Sequence, residues 1–85
     1  MKVQIPSALR SYTERSEAEA SGATLAAVLE DLDRMYPGIR FRMIDEQGQV
    51  RRHIRFFCDG EQLGDLSQPL QAAEELIIVQ ALSGG

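Results

Sequence analysis

The sequence is short of the residues that small proteins use as staples or catalysts. It has one cysteine, Cys58, one histidine, His53, and no tryptophan. A single cysteine cannot close an intrachain disulfide, and one histidine with no cysteine or second histidine at ligand spacing does not make a zinc site. The fold must therefore rest on packing alone. No apolar run approaches the roughly 18 residues a membrane helix needs, and no basic-then-apolar leader opens the chain, so a reducing cytoplasm is the expected compartment and no membrane partner is expected. Cations are also in deficit, with nine Lys and Arg against 13 Asp and Glu, for a net charge of -4. Binding nucleic acid without regard to sequence requires a basic surface that releases counterions from many phosphates, and this chain as a whole offers the opposite.

What remains is enough for one domain. At 85 residues, 44% hydrophobic and 26% charged, the chain exceeds the floor of about 40 residues for an unstapled fold and lacks the composition of a disordered segment. Met1 to Ile5 alternates, with Val3 and Ile5 on one face and Lys2 and Gln4 on the other, and Pro6 stops it as a first strand. Ser11 to Ala20 is polar and weakly patterned, and Ser16 to Ala20 is taken as a short second strand. After Ser21-Gly22, Thr24 is placed to cap a helix whose apolar residues Leu25, Val28, Leu29, Leu32, Met35 and Tyr36 recur every three or four positions as one buried face. Pro37-Gly38 ends it.

Ile39 to Gln49 contains Phe41, Met43 and Ile44 before the turn-forming Asp45-Glu46-Gln47-Gly48, and reads as a partly packed loop. Arg52 to Cys58 alternates again, with Ile54, Phe56 and Cys58 on the core face and His53, Arg55 and Phe57 on the other. Asp59-Gly60 is a hairpin signal leading into a short strand, Glu61 to Leu63, then an irregular segment through Pro69-Leu70. Leu76 to Ala81 is the last strand. It is apolar at nearly every position, so either the domain covers both its faces or one face is a patch for a partner. The order strand, strand, helix, strand, short strand, strand predicts an α+β fold, a β-grasp mixed sheet packed on one main helix. Residues 1–82 would form this domain and residues 83–85 a flexible tail.

The feature that carries chemistry is the terminal Gly84-Gly85 pair. Four unpacked residues reach about 13 Å when extended, and without Cβ atoms at its end such a tail can thread a narrow channel into another protein's active site. Ser67-Gln68-Pro69-Leu70, then Glu74-Glu75-Leu76-Ile77-Ile78-Val79 and the final Ser83-Gly84-Gly85, resemble the C-terminal third of the MoaD/ThiS sulfur carriers. Phe57-Cys58-Asp59-Gly60-Glu61-Gln62-Leu63 resembles the matching hairpin of ubiquitin. Ile5-Pro6-Ser7-Ala8-Leu9-Arg10-Ser11-Tyr12-Thr13 and Ser21-Gly22-Ala23-Thr24-Leu25 resemble the openings of CysO-type carriers, so the likeness spans nearly the whole chain. Two positions depart from it: Gln80-Ala81-Leu82 stands where a proline is often found, and Ala72-Ala73 replaces an Asp-Gly turn.

The resemblance implies a carrier, not an enzyme. An E1-like partner would adenylate the Gly85 carboxylate with ATP, sulfur would replace AMP to give a thiocarboxylate, and a downstream synthase would accept that sulfur in making cysteine, molybdopterin or a sulfur-containing metabolite. No bound cofactor is expected, and the free chain should be a monomer. Two alternatives stay open: a ubiquitin-like modifier joined to lysines through Gly85, and an interaction module in which the diglycine is incidental. In a ubiquitin-like register Leu76 and Ile78 point inward, leaving Phe57, Ile77 and Val79 as an apolar docking patch beside Ala81, Leu82 and Ser83, unless the loop from Ile39 to Gly48 covers it. Cys58 is expected in the core, where it packs as a small hydrophobe instead of carrying a persulfide. Arg40, Arg42, Arg51, Arg52 and Arg55 make a basic cluster that either steers an acidic partner or is plain solvated surface.

Overall fold

The computed structural model describes residues 1–70 and 75–81. Five strands form one sheet: β1 (Lys2–Gln4), β2 (Glu17–Glu19), β3 (Ile54–Cys58), β4 (Glu61–Leu63) and β5 (Glu75–Gln80), in the spatial order β2-β1-β5-β3-β4. β1 and β5 run parallel, and the other neighbours are antiparallel. The helices are α1 (Arg10–Thr13), α2 (Leu25–Met35) and α3 (Ile39–Met43), with a 3₁₀ turn at Ser7–Leu9. This is the β-grasp that the pattern predicts.

Its core is single. Leu25, Val28, Leu29 and Leu32 of α2 share one buried cluster with Val3, Ile54, Phe56, Leu76 and Ile78 of the sheet. Each such side chain, fully withdrawn from water, contributes roughly 1.5–3 kcal/mol against the entropy of ordering the chain. The expected helical face is correct except at its end. Met35 is 39% exposed, and Tyr36 lies past the last helical residue as a half-buried cap. With Pro37 following, the chain turns away before the stripe can complete another turn on the core.

The start of α2 is tied from three directions. The Thr24 hydroxyl accepts the Ala27 N–H at 3.2 Å, and the carbonyls of Gln68 and Leu66 accept the N–H groups of Leu25 and Ala26 at 3.1 and 2.8 Å. Donors that a helix start leaves orphaned are thus satisfied by the segment that the sequence leaves irregular. Gly22 lies so close to this turn that a Cβ there would meet the backbone carbon of Ala27 and the nitrogen of Val28 at 2.7 Å. Asp31 reaches back to the same loop, accepting the Ser21 N–H at 2.9 Å and pairing with Arg34.

Two elements go beyond the expected pattern. Ser7 to Thr13 is helical where the sequence shows no clear periodicity, burying Leu9 and Thr13. The segment taken as a loop after Gly38 begins with α3, which buries Ile39 and Met43 one turn apart. Five residues are too few for a periodic signal to rise above background. Asp33 anchors α3, its Oδ1 accepting the N–H groups of both Gly38 and Arg40 at 3.1 Å. The turns behave as read: Asp59 and Gly60 both take positive φ, 50° and 90°, as a tight hairpin turn requires, and Asp45 Oδ1 accepts the N–H groups of Gln47 and Gln49.

Replacing Gly22 by alanine is expected to cost about 1–3 kcal/mol, because helix backbone must shift to admit the methyl group. Urea unfolding checks this against Gly64→Ala, where a Cβ meets nothing within 4 Å. The Asp31 carboxyl is held below its ordinary 3.8 by the Ser21 N–H and then by Arg34. Its stabilising contribution is therefore present at neutral pH and lost as pH falls below that value through the folded-state pKa. Thermal melts of wild type and Asp31→Asn across that window should converge on acidification.

Candidate functional site

β5 is the strand that leads to the C-terminus, and it lies in the middle of the sheet. Leu76 and Ile78 point inward and are 0% and 3% exposed, while Val79 on the opposite face is 38% exposed and Ile77 half-buried. The nearly continuous apolar run therefore has one face in the core and one on the outer surface. The strand register assembles an outer row in which Glu17, Gln4, Ile77, Phe57 and Gln62 lie side by side, with Val79 opposite Arg55 in the next row. Phe57, Ile77 and Val79 are thus neighbours in an apolar stripe rimmed by polar side chains. Gln4 Nε2 donates to Glu75 Oε2 at 2.9 Å on one flank of it.

The segment after Gly38 does not cover the stripe. Ile39, Met43 and Ile44 belong to the same buried cluster as Leu76 and Ile78, on the opposite side of the sheet. Past β5, the exposed Ala81 donates its N–H to the His53 carbonyl at 2.8 Å, so the chain remains attached to the domain up to that residue. Leu82, Ser83, Gly84 and Gly85, expected to be the remaining docking residues and the sulfur-carrying terminus, lie outside the described residues. So does the Ala72-Ala73 departure.

Cys58 faces inward opposite Leu76 but is only half-buried, because it closes β3 immediately before the exposed hairpin turn. Its thiol is nonetheless pushed up from the usual value, first by desolvation and then by the carboxylates of Asp59 and Glu61. Each effect disfavours the thiolate, the form that attacks sulfur and carbon electrophiles.

Sequence reasoning missed Phe41, which it assigned to partial packing. The residue is 56% exposed on α3, with the Arg51 guanidinium 4.7 Å from its ring centroid. Beside it, Arg42, Arg51, His53, Ile54 and Gln80 complete the lining of an open cleft of about 420 Å³ at the end of β5. The available signal was local: Phe41 stands between two arginines. Among the described residues no group of three or more His, Cys, Asp or Glu is arranged to hold a metal ion, and no helix is long and apolar enough to cross a membrane.

The model of the ThiS family matches residues 3–85, nearly the entire chain and including the terminal diglycine. The chain belongs to the ThiS family. Among its relatives, the sulfur carrier protein CysO of Mycobacterium tuberculosis is 33% identical over 89 aligned positions, covering 98% of this chain and 96% of that protein. The crystal structure of that CysO superposes with a TM-score of 0.88 at 31% identity, covering 95% of this chain and 98% of that one. A crystal structure of the Amycolatopsis orientalis BexX/CysO complex gives the same TM-score at 30% identity, covering 99% and 98%. The small archaeal modifier protein 1 of Methanosarcina acetivorans matches with a TM-score of 0.79 at 26% identity, covering 99% and 94%. This ThiS-family chain therefore shares the ubiquitin-like fold of both named groups.

Cys58 is expected to alkylate more slowly than free cysteine at neutral pH, with the rate reaching half its plateau at a higher pH. Iodoacetamide labelling followed by mass spectrometry across a pH series measures both.

Proposed function

We propose that this ThiS-family chain is a sulfur carrier whose reactive group is the Gly85 carboxylate. The observation that carries the reading is the family match running to Gly85 in a chain one-third identical to named sulfur carrier proteins. The chemistry follows from the terminus. A C-terminal carboxylate has a pKa of about 3.5, so at neutral pH it is anionic and a poor electrophile. An E1-like enzyme brings ATP to it: the carboxylate oxygen attacks the α-phosphorus, pyrophosphate leaves, and an acyl-adenylate forms. Hydrosulfide then attacks the acyl carbon and AMP leaves, giving the Gly85 thiocarboxylate. Where an enzyme persulfide is the donor, the acyl disulfide first formed is cleaved by a second thiol, which departs as a disulfide with the donor cysteine. A downstream synthase then takes the sulfur.

The chain itself catalyses none of these steps. Positioning and charge stabilisation come from the partner's site, and this chain acts as a cosubstrate. Its own contribution is the docking stripe of Phe57, Ile77 and Val79, continued by Ala81, Leu82 and Ser83, which holds the domain while Gly84 and Gly85 enter the active site. A few well-buried side chains near the centre of an interface supply most of its binding energy, aromatic residues such as Phe57 are enriched there, and Ile77 and Val79 lie beside it on β5. The raised thiol of Cys58 supports keeping that residue out of the sulfur path. The structural likeness to a small archaeal modifier protein supports a second reading, in which the same adenylate is passed to a lysine amine.

Incubation with ATP, the adenylating enzyme and sulfide, followed by intact-mass analysis, separates the two. The carrier gains the mass of one sulfur in place of one oxygen, only when Gly85 is present. A modifier instead yields larger conjugates with no thiocarboxylate. Neither product in the presence of an active enzyme rules out both. Val79→Asp should leave the melting temperature nearly unchanged while raising the apparent KM for activation about tenfold, as expected for an exposed interface residue.

A further inference from the structure

Five of the nine lysine and arginine residues, Arg40, Arg42, Arg51, Arg52 and Arg55, fall within sixteen consecutive positions of a chain whose net charge is negative. Four of them, Arg42, Arg51, Arg52 and Arg55, collect around the point where β5 ends. Arg42 and Arg51 line the cleft with Phe41, His53 and Gln80, and Arg52 follows Arg51 on the exposed turn into β3. Arg55 lies opposite Val79, so the basic cluster is continuous with the apolar stripe.

Two of the guanidinium groups are held on backbone carbonyls, and among the described residues none of the four is paired with a carboxylate. Arg51 Nε donates to the Phe41 carbonyl at 2.8 Å, and Arg55 donates to the carbonyls of Arg52 and Ile54 at 2.8 and 2.9 Å. Among the described residues the only ion pairs lie elsewhere, at Met1–Glu19 and Arg34–Asp31. The nearest acid in sequence, Asp45, turns one carboxylate oxygen onto the N–H groups of its own loop. We propose that the surface formed by Phe41, Arg42, Arg51, Arg52 and Arg55, beside the end of β5, is a second docking site, which takes an acidic segment of a partner protein.

Four features bear on the choice of an acidic protein segment. All the cluster's cations are arginines, whose planar forks match carboxylates, as they also match phosphates, two bonds at a time, and anchoring two of them on backbone carbonyls lowers the entropy lost on pairing. The overall charge of -4 opposes a long polyanion such as nucleic acid, which runs beyond the cluster, more than a short acidic segment that stays within it. The Arg51 guanidinium covers one face of the Phe41 ring, which leaves less of it for stacking on a nucleotide base. An exposed aromatic among arginines is also the composition enriched at the centre of protein interfaces.

The test uses the full-length chain labelled with ¹⁵N, titrated with an octaglutamate peptide, and does not depend on the terminus carrying sulfur. Amide shifts should saturate and centre on 41–43 and 51–55, and fade at high salt. Arg42→Glu with Arg52→Glu should weaken binding about tenfold, as expected for the loss of two exposed ion pairs. The matched reversal Arg15→Glu with Arg34→Glu makes the same change in net charge on surfaces outside the cluster and should leave the shifts in place. The milder Arg42→Ala with Arg52→Ala, checked for an unchanged melting temperature, should weaken binding in the same direction. Shifts spread over all cationic residues, or equal loss in both charge-reversed variants, would overturn the assignment. AMP shifting the same amides as strongly as the peptide would overturn it in favour of a nucleotide site.

Discussion

Everything in this domain hangs on the two-sided pairing of β5. It is bonded in parallel to β1, from the start of the chain, and antiparallel to β3, from its second half, so one strand joins the two hairpins into a sheet. Those contacts span nearly the whole sequence, which makes the sheet costly to close and cooperative once closed. The inner side chains of the same strand, Leu76 and Ile78, bind the sheet to α2. Without that strand no strand pairing links the two hairpins, and only the packing on α2 would hold them together.

The same constraint organises the surface. A central strand cannot offer its edge to a partner, because both edges are already bonded, so recognition must use its outer face and its end. The outer face carries Phe57, Ile77 and Val79, and the end carries the cleft with Phe41, Arg42 and Arg51. Apolar contact and charge are thereby placed on adjoining surfaces, both next to Ala81, where the described chain stops. The His53 carbonyl holding the Ala81 N–H fixes the chain one residue beyond the strand, which in the proposed carrier role would serve as a rigid handle.

Most elements were legible because their signals are local. The period of α2, the alternation of β1 and β3 and the Asp59-Gly60 turn all follow from spacing within a few residues, whereas the inward direction of Leu76 and Ile78 rests on the resemblance to a ubiquitin-like register, since a continuously apolar run shows no alternation. What escaped was short or set from a distance. α3 is too brief to show a period, and its position depends on Asp33 accepting two N–H groups from the following turn. Met35 has the right spacing for the core but loses its place because the chain departs at Pro37. Cys58 has the right parity but lies at the end of β3, where burial runs out.

The sequence by itself determined the fold class and the family, because hydrophobic period and turn residues are written in consecutive positions. The tertiary structure alone decided which face of β5 is open, that the segment after Gly38 packs beneath the sheet, and that arginines from α3 and from the turn into β3 meet where β5 ends. The physical reason is register. Strand pairing brings residues tens of positions apart into adjacent rows, and no pattern within a single segment specifies its neighbour's alignment.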